Sequence, residues 1–308
     1  MAADATDPRV LVAVPTYRRT SLLPPLVAAI RDQSAGTRTR ILLVDNDPET
    51  SARAVAAELD VEYLSETTPG IAAVRQAALD AARDDELVVM IDDDVFPEDG
   101  WLRGLVDVWI ETRAAVVMGF VRYVWPEGTD PWIAAGGFMR RTRFPDGTKL
   151  DSLATGNVLV DPAQTRAIGV RFDLSLGLVG GEDNVFGRAV LAKGGVIVAS
   201  ARSVARDDIA VERTTRAFVH RRAVSHGQAR VRLLIREAPA WKRPVLHIVH
   251  LVGGAIRWVA FTAGRLLASA RGDLAGNAVF QRRAWFAQGR MLAALGIVRG
   301  EYARPASS

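Results

Sequence analysis

The sequence of 308 residues contains no cysteine, which excludes disulfide bonds and thiolate zinc sites. A reducing compartment is consistent with that absence. Histidine is scarce as well, and the pair His247 and His250 has no third metal ligand in view. No Gly-x-Gly-x-x-Gly follows the first predicted strand, where a dinucleotide oxidoreductase requires one. These absences remove disulfide-stabilised folds, cysteine–zinc sites and dinucleotide oxidoreductases from consideration.

Charge, by contrast, is plentiful but unevenly distributed. The net charge is +4, yet residues 1–212 hold 22 basic and 32 acidic residues, whereas residues 213–308 hold 17 basic and three acidic residues. Such asymmetry predicts that the C-terminal part meets something anionic, either nucleic acid or a membrane surface.

The basic part of the chain also carries apolar segments. Residues 244–264 are largely apolar but are interrupted by two histidines and Arg257, so they are a marginal candidate for a membrane-spanning helix. Beyond them, arginines are interleaved with tryptophan, phenylalanine and leucine, a pattern typical of amphipathic helices that lie in a membrane interface. Helices that cover a protein domain would show the same pattern. Because the segment is so apolar, we expect an anionic membrane surface as the partner and no nucleic acid.

The first 91 residues alternate between short apolar runs and helical periodicities. The runs predicted as strands are residues 10–14, 41–44, 61–64 and 86–91. Alternation of this kind predicts an α/β domain with a mostly parallel central sheet. Ligands bind beyond the carboxyl ends of such strands, so the polar loops 15–20, 45–48 and 92–94 are expected to converge on one rim.

Three consecutive carboxylates, Asp92, Asp93 and Asp94, follow the fourth of these runs. Like charges this close repel one another and resist burial. Clustered carboxylates offer the hard oxygen ligands that Mg²⁺ and Mn²⁺ select, with phosphates completing the coordination shell. An acidic turn solvated at the end of a strand is the alternative explanation. On an extended chain, Asp93 would point away from its two neighbours and matter less.

Several motifs in a fixed order carry a family resemblance. They are Thr16 and Arg18 in the first loop, Asp45-Asn-Asp47, Arg75 after Pro69-Gly70, the aspartate triplet, Thr155-Gly-Asn157 and Gly181-Glu-Asp183. Their order and spacing resemble the family 2 glycosyltransferases of the GT-A fold, from about Val10 to Gly227. The likeness is to bacterial enzymes that build exopolysaccharide or lipid-linked glycans, such as the succinoglycan glucosyltransferases. It implies a Rossmann-like nucleotide-diphospho-sugar transferase fold.

The resemblance implies a role for each matching residue. The nucleotide-sugar-binding set is Pro15, Thr16, Arg18, Asp45, Arg75, Asp92 and Asp93. Within this set, Asp45 is expected to hydrogen-bond the nucleobase edge and Arg75 to lie near the diphosphate. Asp94, together with Asp92, is expected to hold Mg²⁺ or Mn²⁺. The acceptor-side set is Gly156, Asn157, Glu182 and Arg222, and Asp183 is the expected catalytic base.

The chemistry of these residue types agrees with the implied roles. A metal ion and Arg75 would stabilise the departing nucleotide diphosphate. Asp183 would take the proton of the acceptor hydroxyl as it attacks the anomeric carbon, and a single displacement inverts that centre. Acidic residues also favour the N-terminus of a helix, so helix capping is the alternative explanation for Glu182 and Asp183.

The sequence therefore predicts a GT-A glycosyltransferase domain at residues 1–238 and a basic helical, membrane-associated extension at residues 239–308. The expected enzyme is an inverting, metal-dependent glycosyltransferase of class EC 2.4, a hexosyltransferase. Its expected substrates are a UDP- or GDP-sugar donor and a glycan or polyprenyl-linked acceptor. We expect a peripheral position on the cytoplasmic face of the plasma membrane. A non-catalytic nucleotide-sugar or glycan-binding protein of the same fold is the alternative.

Overall fold

The computed structural model describes residues 8–138, 140–176 and 180–297. It divides into two compact units. Among the described residues, the first comprises residues 8–124, 141–176 and 181–208, and the second comprises residues 125–138, 140, 180 and 209–297. The sequence predicts one boundary, after residue 238, whereas the second unit also contains residues 209–238.

The first unit is built on one eight-stranded sheet. Its strands are β1 (Arg9–Thr16), β2 (Thr39–Asp45), β3 (Glu62–Ser65), β4 (Glu86–Ile91), β5 (Val95–Pro97), β6 (Val116–Val124), β7 (Asn157–Val160) and β8 (Ile197–Asp208). They lie in the order β3-β2-β1-β4-β7-β6-β8-β5. The strands from β3 to β4 are parallel, as predicted. Beyond them β7 pairs antiparallel with both β4 and β6, so the sheet is mixed on that side.

The described residues also contain ten α-helices. They are α1 (Leu23–Gln33), α2 (Arg53–Glu58), α3 (Ile71–Asp80), α4 (Trp101–Thr112), α5 (Pro131–Ala135), α6 (Pro162–Ala167), α7 (Glu182–Ala192), α8 (Arg216–Glu237), α9 (Arg243–Ala270) and α10 (Leu274–Ala294). Four of them, α5, α8, α9 and α10, belong to the second unit.

Both faces of the sheet are buried, which explains the continuous apolar runs of the sequence. On one face Val12 of β1 packs with residues of α1 and α4. On the other face Leu11 packs with residues of α3 and α7. Successive side chains of a strand point to opposite faces, so each central strand contributes to both cores. Because β1 pairs in parallel with both β2 and β4, the carboxyl ends of these three strands lie at one edge of the sheet.

In the second unit, the helices approach one another through glycine. A Cβ at Gly227 of α8 would lie 2.2 Å from the carbonyl oxygen of Phe286, and one at Gly289 of α10 would lie 2.1 Å from that of Val224. Because only glycine permits backbones this close, α8 packs directly on α10. The predicted division after residue 238 separated α8 from the helices with which it packs.

Helix α9 runs unbroken through the segment that the sequence showed as interrupted. Its polar residues are accommodated locally, since Arg257 Nη1 donates to the carbonyl of Gly253 at 2.9 Å and His247 Nδ1 lies 2.6 Å from the carbonyl oxygen of Ala294. His250 contacts Arg290 instead of a metal-ligand partner. By length and composition alone, the helical stretch Ala240–Ala270 is long and apolar enough to cross a membrane, and little of it is buried.

Candidate active site

The loops after β1 and β4 meet at the carboxyl edge of the sheet, as predicted. Thr16, the last residue of β1, donates from Oγ1 to Asp93 Oδ2 at 2.9 Å. Arg19, three residues later, donates from Nη1 to Asp93 Oδ1 at 2.8 Å and to Asp94 Oδ2 at 3.0 Å. Two strands that are adjacent in the sheet thus bring a hydroxyl and a guanidinium onto the aspartate triplet.

The triplet does not continue the strand, which corrects one prediction. It forms a turn in which the amide of Val95 donates to the carbonyl of Asp92 at 3.0 Å. The alternation of an extended chain therefore does not apply, and Asp93 and Asp94 share one guanidinium. Asp93 is buried, and burial raises its pKa to about 6 against the opposing effect of Arg19. Asp93 thus contacts the loop after β1, whereas an extended chain predicts that its side chain points away from this loop.

Arg75 of α3 is buried between two carboxylates. Its Nη1 donates to Glu182 Oε1, and its Nη2 donates to Asp92 Oδ1 at 3.1 Å. Its Nε is buried and has no hydrogen-bond partner among the residues described. An unsatisfied buried donor is costly, so this guanidinium retains the capacity to bind one more acceptor.

Glu182 and Asp183, the first residues of α7, have different surroundings. Glu182 is buried against Arg75, and burial raises its pKa while Arg75 opposes that shift. Asp183 is partly exposed, and its Oδ1 accepts from the amide of Asn184 at 2.7 Å. Glu182 was predicted on the acceptor side, whereas its contact here is with the arginine assigned to the diphosphate. Of the pair, only Asp183 has a carboxylate accessible from solvent.

Gly156 and Asn157 also differ from each other. A Cβ at Gly156 would lie 2.9 Å from Asp92 Oδ2, so the absence of a side chain makes room for that carboxylate. Asn157 is buried in the core, where its Oδ1 accepts from Trp101 Nε1 at 2.8 Å and its Nδ2 donates to the carbonyl of Phe120 at 3.2 Å. The structure gives Asn157 an internal, organising position, and its predicted contact with an acceptor stays a prediction.

The loop after β2 is organised by its own carboxylates. Asp45 is fully buried and accepts from the amides of Asp47 and Ala52, both at 2.9 Å, and from the Tyr63 hydroxyl at 3.1 Å. Asp47 in turn accepts from Arg18 Nε at 3.1 Å. These bonds hold the loop in place, and the nucleobase contact of Asp45 stays a prediction.

The predicted set contained Arg18 but missed Arg19. Arg18 pairs with Asp47 and Glu49, and Arg19 is the one that reaches the triplet. Both arginines stand in the same polar loop after β1, and no local pattern separates them. Pro15 is buried within β1 and sets the start of this loop. Arg222 lies on α8 in the second unit, and its acceptor-side role stays a prediction.

The side chains present suit a metal that is shared with a phosphate. Asp92 and Asp94 are the more accessible members of the triplet, with 35% and 23% of their side chains exposed. The described residues contain no group of three or more histidine, aspartate or glutamate side chains that could hold a metal ion. Mg²⁺ is usually held by only one or two carboxylates together with substrate phosphates, so this sparse donor set fits such an ion. The unpartnered Nε of Arg75 fits the accompanying anion.

Comparison with known sequences gives matches over more than half of the chain. The sequence matches the family model described as Glycosyl transferase family 2 over residues 11–174. The succinoglycan biosynthesis protein ExoM of Rhizobium meliloti (strain 1021) is 30% identical over 238 residues, which are 74% of this chain and 75% of that protein.

Solved structures share the fold at low sequence identity. The mannosyltransferase PcManGT from Pyrobaculum calidifontis, in complex with GDP-Man and Mn²⁺, has a TM-score of 0.63 and 17% identity over 95% of this chain and 89% of its own. TarS 1-349 from S. aureus has a TM-score of 0.53 and 14% identity over 89% of this chain and 90% of its own. The central sheet and its flanking helices are therefore those of the GT-A architecture.

Proposed function

The chain belongs to glycosyltransferase family 2 and is a glycosyltransferase of class EC 2.4, and we propose that it is an inverting, metal-dependent enzyme acting on a glycan or lipid-linked saccharide. Its donor is a UDP- or GDP-sugar, since TarS has been solved with UDP-GlcNAc and PcManGT with GDP-Man. The homology to a succinoglycan biosynthesis protein supports polysaccharide synthesis as its setting.

The buried guanidinium of Arg75 carries this proposal. It is anchored by Glu182 and Asp92 and keeps an unpartnered Nε at the edge of the sheet where ligands bind in parallel α/β folds. A diphosphate bearing negative charge would supply the missing acceptor. The charge on the leaving group grows during the reaction, so a fixed cation at this position stabilises the transition state more than the ground state.

Asp183 and Glu182 have separate roles in the transfer of the sugar. Asp183 accepts the proton of the acceptor hydroxyl, whose oxygen forms the new bond to the anomeric carbon as the bond to the diphosphate oxygen breaks. Attack from the face opposite the leaving group inverts the configuration. Glu182 acts as a positioning residue, because its buried carboxylate is paired with Arg75.

Asp94 and Asp92 would hold the metal, which supplies Lewis-acid stabilisation of the departing diphosphate when bound. Arg19 Nη1 lies 3.0 Å from Asp94 Oδ2, so for Asp94 to hold a metal the guanidinium of Arg19 would have to release or share that oxygen. The Mn²⁺ bound to PcManGT supports a divalent ion here.

We place the enzyme at the cytoplasmic face of the plasma membrane, where lipid-linked acceptors are available. The support is the apolar outer surface of α9 together with the basic charge of residues 213–308. A helix of this kind lies in the interface with its apolar side toward the lipid and its arginines near anionic headgroups.

Nucleotide release from a panel of UDP- and GDP-sugars tests the proposal. Release should require Mn²⁺ or Mg²⁺ and stop with a chelator, and Asp94→Ala and Asp183→Asn should each reduce kcat by about 10²–10⁴-fold. Asp84→Asn, at a fully exposed side chain just before β4, is the matched control and should retain full activity. Full turnover in both site variants would overturn the mechanism. Nucleotide-sugar binding without turnover on any acceptor would instead support a non-catalytic binding protein.

A further inference from the structure

A groove in the second unit lies between α9 and α10, and no residue given a catalytic role above lines it. Its volume is about 470 Å³. It is lined by Trp258, Thr262 and Arg265 of α9 and by Gln281, Trp285, Gln288 and Met291 of α10. A volume of this size falls within the range of small-molecule sites.

The spacing of the lining residues shows that both helices turn one face to the groove. On α9 they stand at positions i, i+4 and i+7, and the same spacing recurs from Gln281 to Gln288 on α10. Residues with this spacing share one face of a helix, so each helix presents a continuous row of side chains to the groove. The rows from α9 and α10, which carry indole, amide, hydroxyl and guanidinium groups, thus face the same groove.

The polar groups of the groove are largely unpaired. Within the described part of the chain, the side chains of Arg265, Thr262 and Gln281 make no hydrogen bond or ion pair. Gln288 is held by His220, whose Nε2 lies 3.2 Å from its Oε1. No carboxylate is among the described residues that line the groove, so the charge of Arg265 is uncompensated there and favours an anion.

The groove opens beside the apolar outer surface of α9. That surface consists of Val245, Ile248, Val252, Ile256 and Val259, which are all more than half exposed. At 3.6 residues per turn, the row from Trp258 to Arg265 lies about a third of a turn around the helix from this stripe. Trp258 is itself 42% exposed. If the stripe contacts lipid, the groove lies at the depth of the headgroups, where tryptophan and arginine are favoured.

We propose that this groove binds the phosphate-bearing headgroup of an anionic membrane lipid. Arg265 pairs with the phosphate, Gln281 and Thr262 hydrogen-bond the headgroup hydroxyls, and Trp258 lies at the boundary between headgroups and acyl chains. The site would add a specific contact with one lipid headgroup to the general attraction between basic residues and a negative surface. That contact would fix the rotation of α9 about its own axis in the interface. The inference rests on the proposed membrane association of the enzyme, but not on the catalytic mechanism.

Vesicle binding by two charge-matched variants tests the groove. The full-length protein is sedimented with vesicles of equimolar phosphatidylcholine and phosphatidylglycerol. Arg271→Gln removes a charge at the exposed C-cap of α9, outside the groove, and should weaken binding about fivefold, the usual effect of one surface arginine. Arg265→Gln removes the same charge but should weaken binding about tenfold more, because a charge-assisted hydrogen bond is lost as well. Equal losses in the two variants would overturn the proposal.

Gln281→Leu provides a second, charge-neutral test. It should weaken binding severalfold, whereas attraction by net charge alone predicts no change. Soluble glycerol 1-phosphate, followed by the fluorescence of the groove tryptophans, separates a lipid site from a free-phosphate site. Saturation by the soluble compound without effect on vesicle binding would overturn the lipid assignment.

Sugar transfer to a soluble acceptor, measured in the same preparations, keeps the two proposals distinguishable. Normal transfer by Arg265→Gln, together with its selective loss of vesicle binding, supports the groove. Failure of the wild-type chain to bind vesicles would overturn both the membrane association and the groove while leaving the catalytic mechanism in place. Absence of transfer with intact, Arg265-dependent vesicle binding would overturn the catalytic proposal alone.

Discussion

Strand β4 has an arginine–carboxylate cluster at each end, and the two clusters differ in how completely the guanidinium is hydrogen-bonded. At its beginning, Glu86 pairs with Arg40 from β2. Just beyond its end, Asp92 pairs with Arg75 from α3, which also holds Glu182. Both arginines lie against the same sheet and both meet two carboxylates, so the comparison isolates how completely each guanidinium is satisfied.

The cluster at Glu86 is closed. Arg40 donates to the two oxygens of Glu86 at 2.8 and 2.7 Å, to Glu62, and to the carbonyl of Ala81 at 2.8 Å, so each of its nitrogens has an acceptor. Glu86 also accepts from the amide of Arg83 at 2.9 Å. The hydrogen bond to Arg40 is the main reason why the pKa of Glu86 lies below its ordinary value.

The cluster at Asp92 is open. Arg75 keeps an Nε that has no partner among the described residues, and burial raises the pKa of Glu182 above its ordinary value despite the guanidinium beside it. A guanidinium whose nitrogens all have acceptors stabilises the fold. A guanidinium with one unpartnered nitrogen can still donate a hydrogen bond to a ligand. The position of the incomplete cluster at the carboxyl edge of the parallel strands is what connects it to function.

The largest effect is expected from removing the arginine of the closed cluster. Arg40→Met would leave the buried Glu86 with only the exposed Arg83 guanidinium, whose Nη1 lies 3.8 Å from its Oε1. Breaking a buried pair in this way costs about 3–5 kcal/mol of the free energy of unfolding. Urea denaturation measures this loss. The activity per folded molecule should not change, because the cluster lies at the end of β4 opposite the candidate active site. A loss of kcat in correctly folded Arg40→Met would mean that the two ends of β4 are functionally coupled.

The matched change at the open cluster should reduce activity strongly and reduce the free energy of unfolding less. Arg75→Met is expected to lower kcat/KM by about 10²–10³-fold, the usual effect of removing one transition-state donor. Its loss of unfolding free energy, measured by the same urea denaturation, should be smaller than that of Arg40→Met. The reason is that the variant also removes an unsatisfied buried donor and that Glu182 can become neutral.

Arg75→Lys is the conservative control for that change. It keeps the charge but not the forked geometry, so it should recover only part of the activity. If Arg75→Met instead unfolds the protein as severely as Arg40→Met while the remaining folded enzyme stays active, the open cluster is structural and the comparison fails.

Acidification should weaken the closed cluster in a defined pH window. The pKa of Glu86 is lowered in the folded state, so its stabilising effect is present above its ordinary pKa and is lost as the pH falls through the folded value. Glu86→Gln removes this titration. The difference in unfolding free energy between wild type and Glu86→Gln, measured by urea denaturation, should be constant near neutrality and shrink below about pH 4.5. A difference that grows on acidification would contradict the assigned direction of the shift.

The edge of the sheet at which the open cluster lies could be predicted from the sequence. The strands, their parallel order and the convergence of the loops after Thr16 and Ile91 rest on short apolar runs, which are local signals. The run that ends at Ile91, the last residue of β4, was sufficient to place the aspartate triplet beside the loop after β1. The family resemblance added the order of motifs, and the family match and the structural relatives confirm both the family and the fold.

What could not be predicted depends on side-chain packing between distant segments. Arg75 and Glu182 are 107 residues apart, and no local pattern indicates that they pair. The choice between Arg18 and Arg19 depends on the backbone of one loop, where Arg18 has a φ of 54°. The turn at Asp92–Asp94 likewise replaced an extended chain, which brought Asp93 onto the rim. The grouping of α8 with the C-terminal helices depends on the close backbone contact at Gly227.

The smallest effect is expected from a single methyl group beside the open cluster. Gly156→Ala would place a Cβ 2.9 Å from Asp92 Oδ2, so the carboxylate must shift by a few tenths of an ångström from its position against Arg75. A displacement of that size should lower kcat/KM about tenfold with little change in stability. The double variant with Asp92→Ala isolates the cause, because the added methyl should then cost almost nothing further. Additive losses in the double variant would show that Gly156 acts on the site by a route that does not involve Asp92.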